Sequence, residues 1–167
     1  GEALAVVGNI STLNKLYLGT YSPKGEKNLS ALASLKNLEL LDLQDNQISA
    51  DDLAEVAQIT SLKHLCLANC KVENSALQNL KFLEHLEVLD LEKNVLNPGK
   101  IKELAQLPAL ITLDLNSSNV NDQALADLAT VLPRLQNIDL RNTVVTEKGV
   151  MQLSKLLQLK SVELSGS

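Results

Sequence analysis

The sequence predicts an α/β solenoid: a parallel concave β-sheet of about seven strands, backed by short helices on the convex side and curved into a horseshoe arc. Three observations carry this. The stretch Leu86–Leu96, LEVLDLEKNVL, has leucines at Leu86, Leu89, Leu91 and Leu96 and an asparagine at Asn94, and the same spacing restarts at Leu13, Leu38, Leu62, Leu110, Leu135 and Leu159, always after 24 or 25 residues. Within each copy apolar and polar residues alternate, as in Leu41-Asp42-Leu43, which is the period of a strand with one buried face. After four of the strands an oxygen-bearing side chain precedes apolar residues at three-residue steps, which marks the start of a helix.

Residues 1–12 already follow the second half of the unit, with Leu4, Val7 and Ile10 leading to Leu13, and are expected to form a helix sealing one end or the remnant of an eighth repeat. Strands are expected around Leu16, Leu41, Leu65, Leu89, Leu113, Ile138 and Val162. The first copy departs most from the pattern. After Leu18 it runs through Gly19, Thr20, Tyr21, Ser22, Pro23, Lys24 and Gly25, with Tyr21 where the asparagine should be, and a protruding loop is expected there.

Later copies place Asn46, Cys70, Asn94, Ser118 and Thr143 at the asparagine position, all small groups able to hydrogen-bond a neighbouring backbone turn. Helices of roughly eight to ten residues should begin at Ser49 with Asp52, Asn97 with Pro98, Asn121 with Asp122 and Thr146 with Glu147, and stop before Pro108 and Pro133. The last copy reads Ser165-Gly166-Ser167 where its turn should continue, so either further native sequence or an end-to-end contact between chains is expected beyond it.

Composition agrees. The 167 residues are 45% hydrophobic but include only three aromatics, Tyr17, Tyr21 and Phe82, so the core must be aliphatic. One domain over residues 1–167 is expected, with repeats starting at 13, 38, 62, 86, 110, 135 and 159, possibly part of a longer chain. No apolar run approaches the ~18 residues of a membrane-spanning helix, and the first residues have no signal-peptide pattern. A pI near 5.0 and a net charge of −5 argue against nucleic acid as a partner.

The spacing L-x-x-L-x-L-x-x-N/C-x-L resembles the leucine-rich repeat family over nearly the whole chain. Its helical back, with Val145-Thr146-Glu147-Lys148-Gly149-Val150, is similar to the intracellular repeats of ribonuclease-inhibitor and F-box substrate-receptor type. The resemblance implies a rigid protein-binding module. Extracellular members usually carry disulfide-stapled caps, for which Cys66 and Cys70 are too few, so an intracellular and cytoplasmic location is expected, in its own cell or in a host cell.

No catalytic, cofactor or metal site is expected. The chain has no phosphate-binding glycine loop and no His-Glu-x-x-His helix. His64 and Cys66, two apart on one strand, face the same way, but Cys70 belongs to the turn, and a zinc site normally needs three or four converging ligands.

The informative column is the residue between the second and third leucines: Tyr17, Asp42, Cys66, Asp90, Asp114, Asp139 and Glu163. Neighbouring carboxylates in such a column repel and raise one another's pKa, a cost that a basic partner would relieve. Lys63, Lys93 and Arg141 stand near enough to neutralise part of it. The candidate partner-binding residues are therefore Tyr17, Tyr21, Asp42, His64, Asp90, Glu92, Asp114, Asp139, Arg141 and Glu163, facing a protein with a basic or mixed surface, with neither nucleic acid nor membrane involved. Three readings stay open: a free-standing interaction module, the substrate receptor of a ubiquitin ligase or bacterial effector, and a structural spacer whose acids only keep the sheet soluble.

Overall fold

A computed structural model of the chain describes residues 2–20, 29–72 and 74–166, and of Asn74 the backbone alone. Strands β1 (Lys15–Tyr17), β2 (Leu40–Asp42), β3 (His64–Cys66), β4 (Val88–Asp90), β5 (Thr112–Asp114), β6 (Asn137–Asp139) and β7 (Ser161–Glu163) form one parallel sheet in chain order. Each contains the residue expected at its centre, and the register is in step from end to end, so that Leu41, Leu65, Leu89, Leu113 and Ile138 make one row. Leu41, Leu89 and Leu113 are fully buried, because alternation turns them all to the inner side of the sheet. Of the loop expected after Leu18, Gly19 and Thr20 are described and the stretch from Tyr21 to Lys27 lies outside the described residues.

Behind the sheet stand α1 (Glu2–Val7), α2 (Ala50–Val56), α3 (Asp122–Val131) and α4 (Glu147–Val150), interspersed with 3-10 helices at Leu29–Ser34, Asn74–Phe82, Pro98–Gln106 and Met151–Lys155. This corrects the expectation of a uniform helix of eight to ten residues per repeat. The reason lies in the spacing. A 3-10 helix has 3.0 residues per turn and stacks positions i and i+3 directly above one another. Ile101 and Leu104, three apart and both fully buried, are served by that geometry. In α3 the buried set is Ala124, Leu125, Leu128 and Ala129, a three-and-four spacing that fits the α-helix instead.

The helix starts follow the expected capping chemistry. Ser49 Oγ accepts the Asp52 amide at 3.1 Å while Asp52 Oδ2 accepts the Ser49 amide at 2.9 Å, a reciprocal capping box. Asn97 accepts from Gly99, Asn121 from Ala124 and Thr146 from Lys148.

Between strand and helix every repeat turns through a left-handed residue, at Thr20, Asp45, Asn69, Lys93, Ser117, Asn142 and Gly166, with φ between 52° and 79°. The next residue is the ladder position. Asn94 Nδ2 donates to Leu67 O of the preceding repeat at 2.8 Å and Asn94 Oδ1 accepts the Val72 amide at 2.9 Å. Asn46 Nδ2 reaches Leu18 O at 2.9 Å, and Cys70 Sγ reaches Leu43 O at 3.0 Å. The ladder does not continue as expected. Thr143 Oγ1 donates to Leu140 O within its own repeat, and the buried Ser118 Oγ has no hydrogen-bond partner among the described residues. Both hydroxyls sit on stems too short to reach the previous turn.

Candidate functional site on the concave sheet

The register assembles the expected column: Tyr17, Asp42, Cys66, Asp90, Asp114, Asp139 and Glu163 stand side by side across the seven strands. Adjacent members are one strand apart, about 4.8 Å. The neighbouring column, one pleat away, contains Lys15, Leu40, His64, Val88, Thr112, Asn137 and Ser161. Tyr17 is 62% exposed and His64 is exposed beside the half-buried Cys66. Tyr21 lies outside the described residues.

Each aspartate also has a local task that the leucine spacing does not reveal. Asp42 accepts the Gln44 amide at 2.9 Å, Asp90 the Glu92 amide at 2.9 Å, Asp114 the Asn116 amide at 2.8 Å and Asp139 the Arg141 amide at 2.9 Å. These are Asx turns, which hold the chain as it leaves the strand and enters the left-handed turn. The acids thus fix the turn as well as charging the face, and the signal for it was an aspartate recurring three residues before a left-handed position.

The neutralisation expected from nearby cations is selective. Lys63 pairs with Glu39 at 2.8 Å, in another column, and Lys93 pairs with Glu92 at 2.7 Å. Among the described residues it is Arg141 that closes on the acidic column, its Nε donating to Asp139 Oδ1 at 3.0 Å and Oδ2 at 2.8 Å. Burial pushes the Asp139 carboxyl up, but the hydrogen bonds and charge of Arg141 outweigh this and hold it below its ordinary value. Asp114 goes the other way. Burial first, then the charges of Asp90, Asp139 and Glu92, outweigh its bond to the Asn116 amide and push it up to about 6. Mutual repulsion is therefore the smaller cause at Asp114, while at Asp139 it is Arg141 that decides the direction, against burial.

Cys66 Sγ donates to Asp90 Oδ2 at 3.2 Å, and burial, reinforced by the charges of Asp90 and Asp42, pushes the thiol far up. A neutral thiol is a poor nucleophile and a poor metal ligand. Oxygen atoms of Asp90, Glu92 and Asp114 lie within 4.8 Å of one another, a hard-cation donor set that the sequence spacing did not single out. Calcium takes about six to eight oxygen ligands. Glu163, at the β7 edge, is exposed.

Comparison with known structures identifies the architecture. The chain is similar to an internalin from Listeria monocytogenes at 22% identity and a TM-score of 0.63, over 98% of this chain and 51% of that one. Internalin C2 from the same organism matches at 28% identity and a TM-score of 0.71, over 97% of this chain and 66% of that one. A leucine-rich-repeat protein of Leptospira interrogans matches at 27% identity and a TM-score of 0.63, over 95% of this chain and 40% of that one. No protein-family model and no curated protein sequence matches the chain. The fold is a leucine-rich-repeat solenoid, and the chain spans less than two thirds of the length of these three relatives. Among the described residues no helix is long and apolar enough to cross a membrane.

Proposed function

We infer that this leucine-rich-repeat solenoid is a non-enzymatic protein-binding module, whose acidic concave sheet receives a protein with a basic or mixed surface. The observation that carries the reading is the unbroken register that sets Asp90, Asp114, Asp139 and Glu163 shoulder to shoulder, with Arg141 paired to Asp139. Such a face steers a basic partner towards it, while the rigid sheet loses little entropy when the partner lands. The same charge argues against nucleic acid. A reducing, cytoplasmic location is part of the proposal and rests on the cysteine content, since Cys66 and Cys70 are too few for disulfide-stapled end caps. The likeness of Val145–Val150 to intracellular ribonuclease-inhibitor-type repeats supports the same location.

The test begins with affinity capture and mass spectrometry to find the partner, followed by association and dissociation rates at two ionic strengths. Asp114→Lys should slow association at low salt, and the effect should shrink towards 1 M salt, where the Debye length is about 3 Å. Tyr17→Ala removes contact area without charge, so it should act on dissociation and persist in salt. Unchanged association of Asp114→Lys at low salt would return the column to its turn-forming task alone.

A further inference from the structure

From β2 to β7 the column that begins at Asp42 is acidic on every strand except β3, where Cys66 stands between Asp42 and Asp90. A thiol is smaller and less polar than a carboxylate. Where it interrupts the column the sheet has a depression of about 180 Å³, lined by Leu40, His64, Leu65 and Val88 around Cys66 together with Tyr17 and the two aspartates. We propose that this depression takes one basic side chain, Lys or Arg, from an extended segment of a protein partner. The proposal rests on the reading of the sheet as the binding face and specifies what that face selects.

The chemistry of the lining decides the occupant. Leu40 and Val88 are half-buried apolar walls that suit the methylene stem of a long side chain. Asp42 and Asp90 lie two strands apart, about 10 Å, so a cation seated over Cys66 stands between them. Asp42 spends one bond on the Gln44 amide, and Asp90 spends two, on the Glu92 amide and the Cys66 thiol. A carboxylate offers about four lone-pair sites, so both retain capacity for a further donor. The exposed Tyr17 ring adds a face on which a cation can rest. An acidic side chain would be repelled by both aspartates, and a purely apolar one would strip water from them without replacing its hydrogen bonds.

The experiment is a titration of backbone amide resonances with a six-residue arginine peptide and its uncharged citrulline analogue. Shifts should peak at Leu40, His64, Leu65 and Val88, and the arginine peptide should bind at least about tenfold more tightly than the citrulline one. Cys66→Leu fills the space while leaving both aspartates in place and should weaken the arginine peptide about tenfold; Cys66→Ala, which keeps the space, should bind as the parent does. If Cys66→Leu does not fold, the pair Asp42→Asn and Asp90→Asn, which keeps the amide acceptors, must show the same loss. Equal binding by Cys66→Leu, or no preference for arginine over citrulline, overturns the proposal. Shifts spread over Asp114, Asp139 and Glu163 with no maximum at Cys66 would overturn it too, yet leave the acidic face standing as a binding surface. No shift anywhere on the sheet would remove both.

Discussion

Asp122 caps a helix that belongs to the next repeat: its Oδ1 accepts the Thr146 amide and its Oδ2 the Thr146 hydroxyl, both at 2.7 Å. Thr146 in turn accepts the Lys148 amide at the start of α4. Hydrogen bonds from the Thr146 side chain and backbone hold the Asp122 carboxyl below its ordinary value. A lowered carboxyl contributes stability that is complete above its unfolded pKa and is lost as pH falls through the lower folded value. Asp122→Ala should therefore destabilise the protein at neutral pH and flatten the acid limb of a melting-temperature curve. An unchanged acid limb would mean the contact does not couple the two repeats.

Gly149 sits against that contact. A Cβ at this position would lie 2.4 Å from Asp122 Oδ1 and 2.9 Å from Val145 Cγ1. Alanine favours a helix over glycine by about 1 kcal/mol, yet overpacking costs about 1–3 kcal/mol, so Gly149→Ala should be net destabilising. Urea unfolding measures it. The penalty should shrink in an Asp122→Ala background, because the clash partner is gone.

The ladder offers a gain and a loss. Ser118→Asn should extend to the carbonyl of the preceding turn, as Asn46 and Asn94 do, adding about 1 kcal/mol through a hydrogen bond that serine is too short to make. Asn94→Ala should do the reverse, stranding the Leu67 carbonyl and the Val72 amide at a fully buried site, at about 1–3 kcal/mol for each group left unsatisfied. Leu89→Ala, in the middle of the leucine row, should cost about 2–5 kcal/mol by opening a cavity. Chemical denaturation of the set, with a tolerant Leu89→Ala or a destabilised Ser118→Asn, would contradict this account of the core.

The strands were legible in the sequence because a period of two and a period of 24 or 25 both act on the same leucines, and either alone would have fixed Leu89. The capping residues were legible because Ser49, Asn97, Asn121 and Thr146 act on their own next few residues. What was not legible depends on contacts between repeats. Nothing local to Asp122 says that its carboxylate serves Thr146, 24 residues later. Nor does the spacing of Lys63 say that it prefers Glu39 to the acidic column. The split between 3-10 and α backs was present in the three-residue steps but was read as helix in general. In the candidate site the column itself was readable, whereas the hollow at Cys66 needs the side chains of four adjacent strands together.

Asp114 gives the binding face a pH dependence whose sign can be worked out. Its carboxyl, raised to about 6 by burial and then by Asp90, Asp139 and Glu92, holds its proton in the folded protein over a range where the unfolded chain has already released it. Between the ordinary carboxylate value and about 6, stability should therefore fall as pH rises. Asp114→Asn keeps an acceptor for the Asn116 amide and removes the charge, so it should raise the melting temperature at pH 7 and lose that advantage near pH 4. A basic partner inverts the balance, because it favours the charged form and lowers the folded value. Binding should then release a proton near pH 6 and tighten as pH rises from about 5 to about 7. Calorimetry in two buffers of different ionisation enthalpy reads the released proton directly. Proton release should vanish in Asp114→Asn. Binding that is flat across this range, with no proton released, would mean that the partner does not meet Asp114.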